Sequence, residues 1–165
     1  ALLLGGNTAT LSEGRITQFG PTIDVFRKPV DLVTAKTFAD PPLNTIVLAK
    51  KGGDFLLEGG VKLPVPADLA GIADAMYTVG FQPHHLSLDQ PNAAAVPVRA
   101  KVTITEITGS ESFIHLDFAD ARWVMLTHGI RDFEPDAEVE VFIDPRHIMV
   151  FDEHGRAVAA PKLAA

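Results

Sequence analysis

Six histidines, a Ser110-Glu111-Ser112-Phe113-Ile114-His115 run and one tryptophan are the side chains here whose types could do chemistry. Histidine can hold a metal or move protons near neutral pH. His84 and His85 are adjacent, however, and neighbours on an extended chain point to opposite faces. His115, His128, His147 and His154 lack the i,i+4 spacing of a zinc helix, and no cysteine exists to complete a site. No metal site is expected. Ser110 and Ser112 share one strand face with Ile114, His115 lies on the other, and no Gly-x-Ser-x-Gly elbow accompanies them. Asp117, Asp120, Glu134, Asp136, Glu138 and Glu140 fall at turns or on polar strand faces, where charge deters edge-to-edge pairing. Trp123, between Arg122 and Val124, has the surface to stack on a sugar, but a lone strand tryptophan favours core or interface packing. No catalytic residue and no bound cofactor are expected.

The composition narrows the classes of function further. The formal charge of −7 comes from 21 acidic and 14 basic residues, with no basic run longer than Arg27-Lys28 or Lys50-Lys51. Nucleic-acid affinity rests on a concentrated positive field, so no nucleic-acid partner is expected. No apolar stretch approaches the ~18 residues of a membrane span. Ala1-Leu2-Leu3-Leu4 has neither the basic flank nor the cleavage site of a signal peptide. The lack of cysteine fits a reducing cytoplasm.

Local patterns place these residues on β-structure. Leu2–Leu4, a Gly5-Gly6-Asn7 turn and Thr8–Leu11 read as a hairpin, with a further strand over Arg15–Phe19. Isolated hairpins are marginal, which predicts that this one belongs to a larger sheet that the present chain does not contain. Gly20-Pro21 opens a short helix closed by Pro29, with Asp24 in its first turn and Arg27-Lys28 in its last. A second helix runs from Asp31, a good N-cap, through Phe38, and Pro41-Pro42 stops it. Eight β-type runs follow: Thr45–Ala49, Phe55–Leu57, Ala75–Phe81, Val96–Ile107, Ser112–Phe118, Arg122–Thr127, Ala137–Ile143 and His147–Phe151. Short strands with turn signals between them predict an antiparallel barrel or sandwich. In Val96–Ile107 the alternation sets Val96, Val98, Ala100, Val102, Ile104 and Glu106 on one face. Val139, Val141 and Ile143 alternate likewise.

Several of these segments resemble a known family. Gly14-Arg15-Ile16-Thr17-Gln18-Phe19-Gly20-Pro21, then Val25-Phe26-Arg27-Lys28-Pro29 and Phe38-Ala39-Asp40-Pro41-Pro42-Leu43-Asn44, are similar to the junction that ends the nucleotide-binding domain of maltose-type ABC importer ATPases. Val79-Gly80-Phe81-Gln82-Pro83-His84-His85-Leu86 resembles that family's Gly-Ile-Arg-Pro-Glu-His-Leu, with Gln82 and His84 as departures. Thr108-Gly109-Ser110-Glu111 resembles its Leu-Gly-Ser-Glu. Pro145 to Gly155 is similar to its closing Pro-x5-Phe-Asp-x-x-Gly. The linker departs from the family's Phe-Ile-Gly-Ser-Pro at Ala39, Asp40 and Pro41.

The resemblance implies a mainly β chain: an OB-fold-type antiparallel barrel, the TOBE (transport-associated OB) domain, over residues 43–165. Residues 1–42 would be the tail of the nucleotide-binding domain. It implies a regulatory and dimerising module of a sugar, polyol or glycerol-phosphate importer, lying at the inner face of the bacterial plasma membrane. The partners it implies are a second ATPase subunit, transmembrane permease subunits and a cytoplasmic regulator. The chain contains no Gly-x4-Gly-Lys-Ser/Thr loop, no Leu-Ser-Gly-Gly-Gln signature and no hydrophobic run ending in Asp-Glu, so ATP and magnesium would belong to the full-length parent. Candidate regulatory or interface residues are Gln82, His84, His85, Ser110, Glu111 and Trp123. The other reading is a free-standing TOBE barrel that binds a small oxyanion.

Overall fold

Glu13 and Gly14, both at positive φ, form a two-residue turn joining β1 (Asn7–Ser12) to β2 (Arg15–Pro21). The hairpin therefore lies one strand later than the sequence pattern predicts. Leu2–Leu4 is a turn, closed by the amides of Leu4 and Gly5 on the Ala1 carbonyl. The computed structural model describes residues 1–38 and 41–158. Linker residues Ala39 and Asp40, and positions 159–165 of the expected barrel segment, lie outside the described residues.

The two expected helices are present. In α1 (Thr22–Arg27), Asp24 and Arg27 sit at the ends that the helix dipole favours. In α2 (Leu32–Thr37), the Asp31 carboxylate accepts the Thr34 amide at 2.7 Å. Mainly β structure follows: β3 (Asn44–Lys51), β4 (Asp54–Leu56), β5 (Lys62–Pro64), β6 (Met76–Phe81), β7 (Leu86–Ser87), β8 (Val96–Ile107), β9 (Glu111–Phe118), β10 (Ala121–His128), β11 (Glu138–Ile143) and β12 (Met149–Phe151). The short strands β5 and β7 carry too few residues for alternation to reveal them.

The strands form two antiparallel five-stranded sheets, ordered β10-β9-β8-β11-β7 and β12-β6-β3-β4-β5. Their inner faces share one core containing Phe55, Val79, Phe81, Val102, Ile114, Trp123, Met125 and Val141. The wall between the sheets is closed where Asn44 of β3 meets Val124 of β10. The Asn44 side chain donates to the Val124 carbonyl at 2.8 Å and accepts its amide at 2.7 Å. Beside it, the Trp123 indole donates to the Thr45 carbonyl at 3.2 Å. This gives an OB-fold-type barrel: side-chain amide and indole groups replace strand pairing where the two sheets meet.

One alternation fails for a visible reason. The register of β8 against β9 slips between Val102 and Ile104, a β-bulge. An inserted residue reverses the faces beyond it. Ile104 is therefore exposed, not inward as the sequence pattern places it, while Val96, Val98, Ala100 and Val102 remain buried.

The N-terminal elements are stapled to the barrel through its closing segment. The Asp152 carboxylate accepts the amides of His154 and Arg156, both at 2.9 Å, and so shapes a turn. That turn presents the Gly155 carbonyl to the Leu32 amide at 2.7 Å, and the Ala157 amide reaches the Val30 carbonyl at 2.9 Å. The same bonds hold Asp152 below its usual carboxyl range. The Phe-Asp-x-x-Gly pattern thus forms the joint between α2 and the barrel.

Candidate functional site

The candidate residues separate into three settings. Trp123 is 1% exposed, stacked on Phe118 with ring centroids 4.9 Å apart and edge-on to Phe81 at 5.1 Å. Its indole belongs to the core, so its face cannot take a sugar. Ser110 and Glu111 lie at the turn between β8 and β9, Ser110 exposed and Glu111 half-buried. The Ser110 carbonyl accepts the Gly129 amide at 2.7 Å, and Glu111 lies 4.0 Å from His128. Ser112, expected to share a face with Ser110, is fully buried as a structural latch. Its hydroxyl donates to the Gly129 carbonyl and accepts the Arg131 amide.

Gln82, His84 and His85 come together at the end of β6. Pro83 cannot continue a paired strand, and the chain turns there into one turn of 3-10 helix, Pro83–His85. A matching turn, Pro145–His147, precedes β12, capped by Asp144, whose side chain accepts the Arg146 amide at 3.0 Å. Because β12 pairs with β6, the two turns lie side by side. The His85 and His147 rings stack at 4.1 Å and 14°, and His84 tilts against His85 at 4.1 Å. His84 and His85 do not diverge as expected from an extended chain, because they lie on a helical turn.

With α1, these turns line a groove of ≈ 550 Å³. Arg27, Arg146, His84, His85, His147 and Gln82 supply its polar groups, and Phe26, Ile148 and Met149 its apolar surface. Ser110, Glu111 and Trp123 do not line it. Arg27, Arg146 and Asp144 are not candidates in the sequence, and His147 stands there only among the histidines weighed for a metal. The visible signal was Asp144-Pro145-Arg146-His147, a capping acid before a proline turn, which resembles Gln82-Pro83-His84-His85 in form.

Electrostatics in the groove have identifiable causes. Asp144 is 4% exposed and accepts Nε and Nη2 of Arg146 at 3.1 and 2.9 Å and Nδ2 of Asn92 at 2.9 Å. The Arg146 bonds pull its carboxyl down to about 2. Burial, then the neighbouring His84 and His147 rings, push the His85 imidazole down to about 4, and burial and His147 lower His84. Among the described residues the buried Nδ1 atom of His85 has no hydrogen-bond partner.

Residues 79–151 match the family model for the TOBE domain. Over that stretch the chain is similar to TOBE-domain proteins. Its barrel and the paired histidine turns lie within or beside that stretch. The chain is also similar to sn-glycerol-3-phosphate import ATP-binding proteins. The UgpC protein of Salmonella typhimurium strain LT2 is 29% identical over 127 residues, 76% of this chain and 35% of that protein. UgpC of Ruegeria sp. strain TM1040 is 28% identical over 162 residues, 96% of this chain and 44% of that protein. The chain thus spans between a third and a half of the length of these relatives. A solved molybdate-bound structure of the cytoplasmic molybdate-binding protein ModG aligns with 66% of this chain and 92% of its own at TM-score 0.45 and 17% identity. Among the described residues, no helix is long and apolar enough to cross a membrane.

Proposed function

We propose that this chain is the regulatory and pairing portion of the ATP-binding subunit of an ABC importer for a sugar, polyol or glycerol phosphate. In this reading residues 1–42 are the tail of the nucleotide-binding domain and 43–165 the regulatory barrel. The observation that carries it is collinearity: up to 96% of the chain aligns with such subunits, and the match includes both the N-terminal elements and the TOBE segment.

The N-terminal surface supports the same reading. Leu11, Ile16, Phe19, Ile23 and Val33 are all exposed on the β1–β2 hairpin and the two helices. Apolar area left in water gains about 25 cal/mol per Å² when covered. A patch of this kind suits packing against the body of a nucleotide-binding domain. The barrel then acts from a fixed base. Barrels touching in a two-fold pair keep two ATPase halves at high effective concentration while they separate and close around ATP and magnesium. Ser110 and Glu111, on an exposed turn, are contact points for the second barrel or for a cytoplasmic regulator. The subunit would lie in the cytoplasm beneath its transmembrane permease.

The test is to read the coding frame upstream of Ala1 and to assay the encoded protein. The reading expects a phosphate loop and a Leu-Ser-Gly-Gly-Gln signature. It also expects that deleting residues 43–165 leaves ATP binding intact while solute uptake is lost. A frame without those motifs, or uptake unaffected by the deletion, would refute it.

A further inference from the structure

The groove between α1 and the two histidine turns has a composition that the importer reading does not use. Its lining brings two guanidinium groups and three imidazoles together, with no carboxylate among the lining residues. The nearest acid, Asp144, is buried behind them and already satisfied by Arg146 and Asn92. Asp144 holds Nε and Nη2 of Arg146, which leaves Nη1 for another acceptor. Among the described residues Arg27 has no carboxylate within ion-pair distance, and it stands at the last turn of α1.

We propose that this groove binds the phosphoryl head of a small organic phosphate ester and takes up protons as it does so. Guanidinium forks match phosphate oxygens in geometry and charge. The stacked His85 and His147 rings lie 4.1 Å apart, with the Asp144 carboxylate 3.9 Å from His147, and an anion in the groove would offset the repulsion that a proton on His85 meets there. The low position of His85, at about 4, is the ligand-free state of that arrangement. Its Nδ1 is buried and unpartnered among the described residues, so the ring meets the groove through its other atoms. A phosphate monoester loses its second proton near pH ~6, so it is largely dianionic where His85, at about 4, is neutral.

Size separates an ester from a bare ion. The groove holds ≈ 550 Å³, within the range of about 300–1,000 Å³ usual for organic ligands. A water's share of liquid is only about 30 Å³, so an inorganic oxyanion of a few such volumes would leave most of the groove unfilled. Phe26, Ile148 and Met149 offer apolar surface to the carbon body. The assignment does not depend on the importer reading.

The experiment is calorimetric titration of the 165-residue chain with ribose 5-phosphate, with ribose and inorganic phosphate as comparisons, together with NMR of the histidine rings. Saturable binding of the ester is expected, with His84, His85 and His147 signals moving together. Affinity should fall by up to tenfold per pH unit for each proton taken up, between about pH 6 and about pH 8. The binding heat should change with the ionisation heat of the buffer. Arg27→Gln, at an exposed position, and His85→Gln should each weaken binding about tenfold, while His128→Gln, outside the groove, leaves it unchanged. Absence of saturable binding, equal binding of ribose, or an affinity flat with pH would overturn the proposal. Inorganic phosphate binding as tightly as the ester would overturn the ester assignment.

Discussion

Asn44 and Val124, 80 positions apart in the chain, exchange two hydrogen bonds of 2.8 and 2.7 Å. The side-chain amide presents one of its N–H groups and its oxygen to Val124 as a peptide group would, so it substitutes for a strand neighbour. Asn44 is 2% exposed. Asn44→Ala would leave the amide and carbonyl of Val124 unpaired, at about 1–3 kcal/mol each. We expect a loss of about 2–4 kcal/mol in urea unfolding and faster hydrogen exchange at the Val124 amide. Asn44→Asp keeps the acceptor, loses the donor and buries a charge, so it should fare no better.

Gly80 gives a second structural prediction. A Cβ there would meet Leu43 Cδ2 at 3.1 Å and Phe151 Cε2 at 3.5 Å. Gly80 lies in a paired strand at ordinary φ, so the glycine serves close packing and not backbone freedom. Gly80→Ala should destabilise by about 1–3 kcal/mol through overpacking, read as a lower thermal midpoint. Leu43→Ala in the same chain should restore part of the loss if the clash is its cause.

These two positions indicate what the sequence could disclose. Asn44 and Gly80 both stand inside the motifs that carry the family resemblance, yet their types alone do not reveal a sheet-closing latch or a packing limit. The helices were legible because Pro21, Asp24, Asp31 and Pro29 signal locally at fixed offsets. The mainly β character was legible because alternation is also local. The bulge at Val102–Ile104 was not, since slipped register depends on the partner strand. The groove was legible only in part: His84 and His85 stood out, but Arg27, Arg146 and His147 join them through the pairing of β12 with β6, a contact that spacing does not encode.

Acid should destabilise the chain in two separable steps. The His85 imidazole moves from 6.5 unfolded to about 4 folded. Between those values the unfolded chain binds more protons, so stability is complete above about pH 6.5 and falls as pH drops toward about 4. The Asp144 carboxyl moves from 3.8 to about 2, so its contribution, about 2 kcal/mol, is present above about pH 4 and lost as pH falls to about 2. Urea unfolding across this range should show both limbs. His85→Gln should shrink the upper limb, leaving the part due to His84, and Asp144→Asn the lower, leaving the part due to Asp152. A limb unchanged by its substitution would contradict the assignment.

Trp123 makes the barrel core directly observable, because it is the one tryptophan in the chain. Buried against Phe81 and Phe118, its emission should be blue-shifted in the native state and move red in one transition with unfolding. Adding maltose or glycerol should leave the emission unchanged, because no face of the indole is open to a sugar. Trp123→Ala should cost about 3–5 kcal/mol. Trp123→Phe retains much of the ring packing but leaves the Thr45 carbonyl without its indole donor, so it should cost less than alanine and more than an ordinary aromatic exchange. If the phenylalanine variant matched the native chain in stability, the bond from the indole to Thr45 would not contribute to closing the barrel, and Asn44 alone would hold β3 to β10.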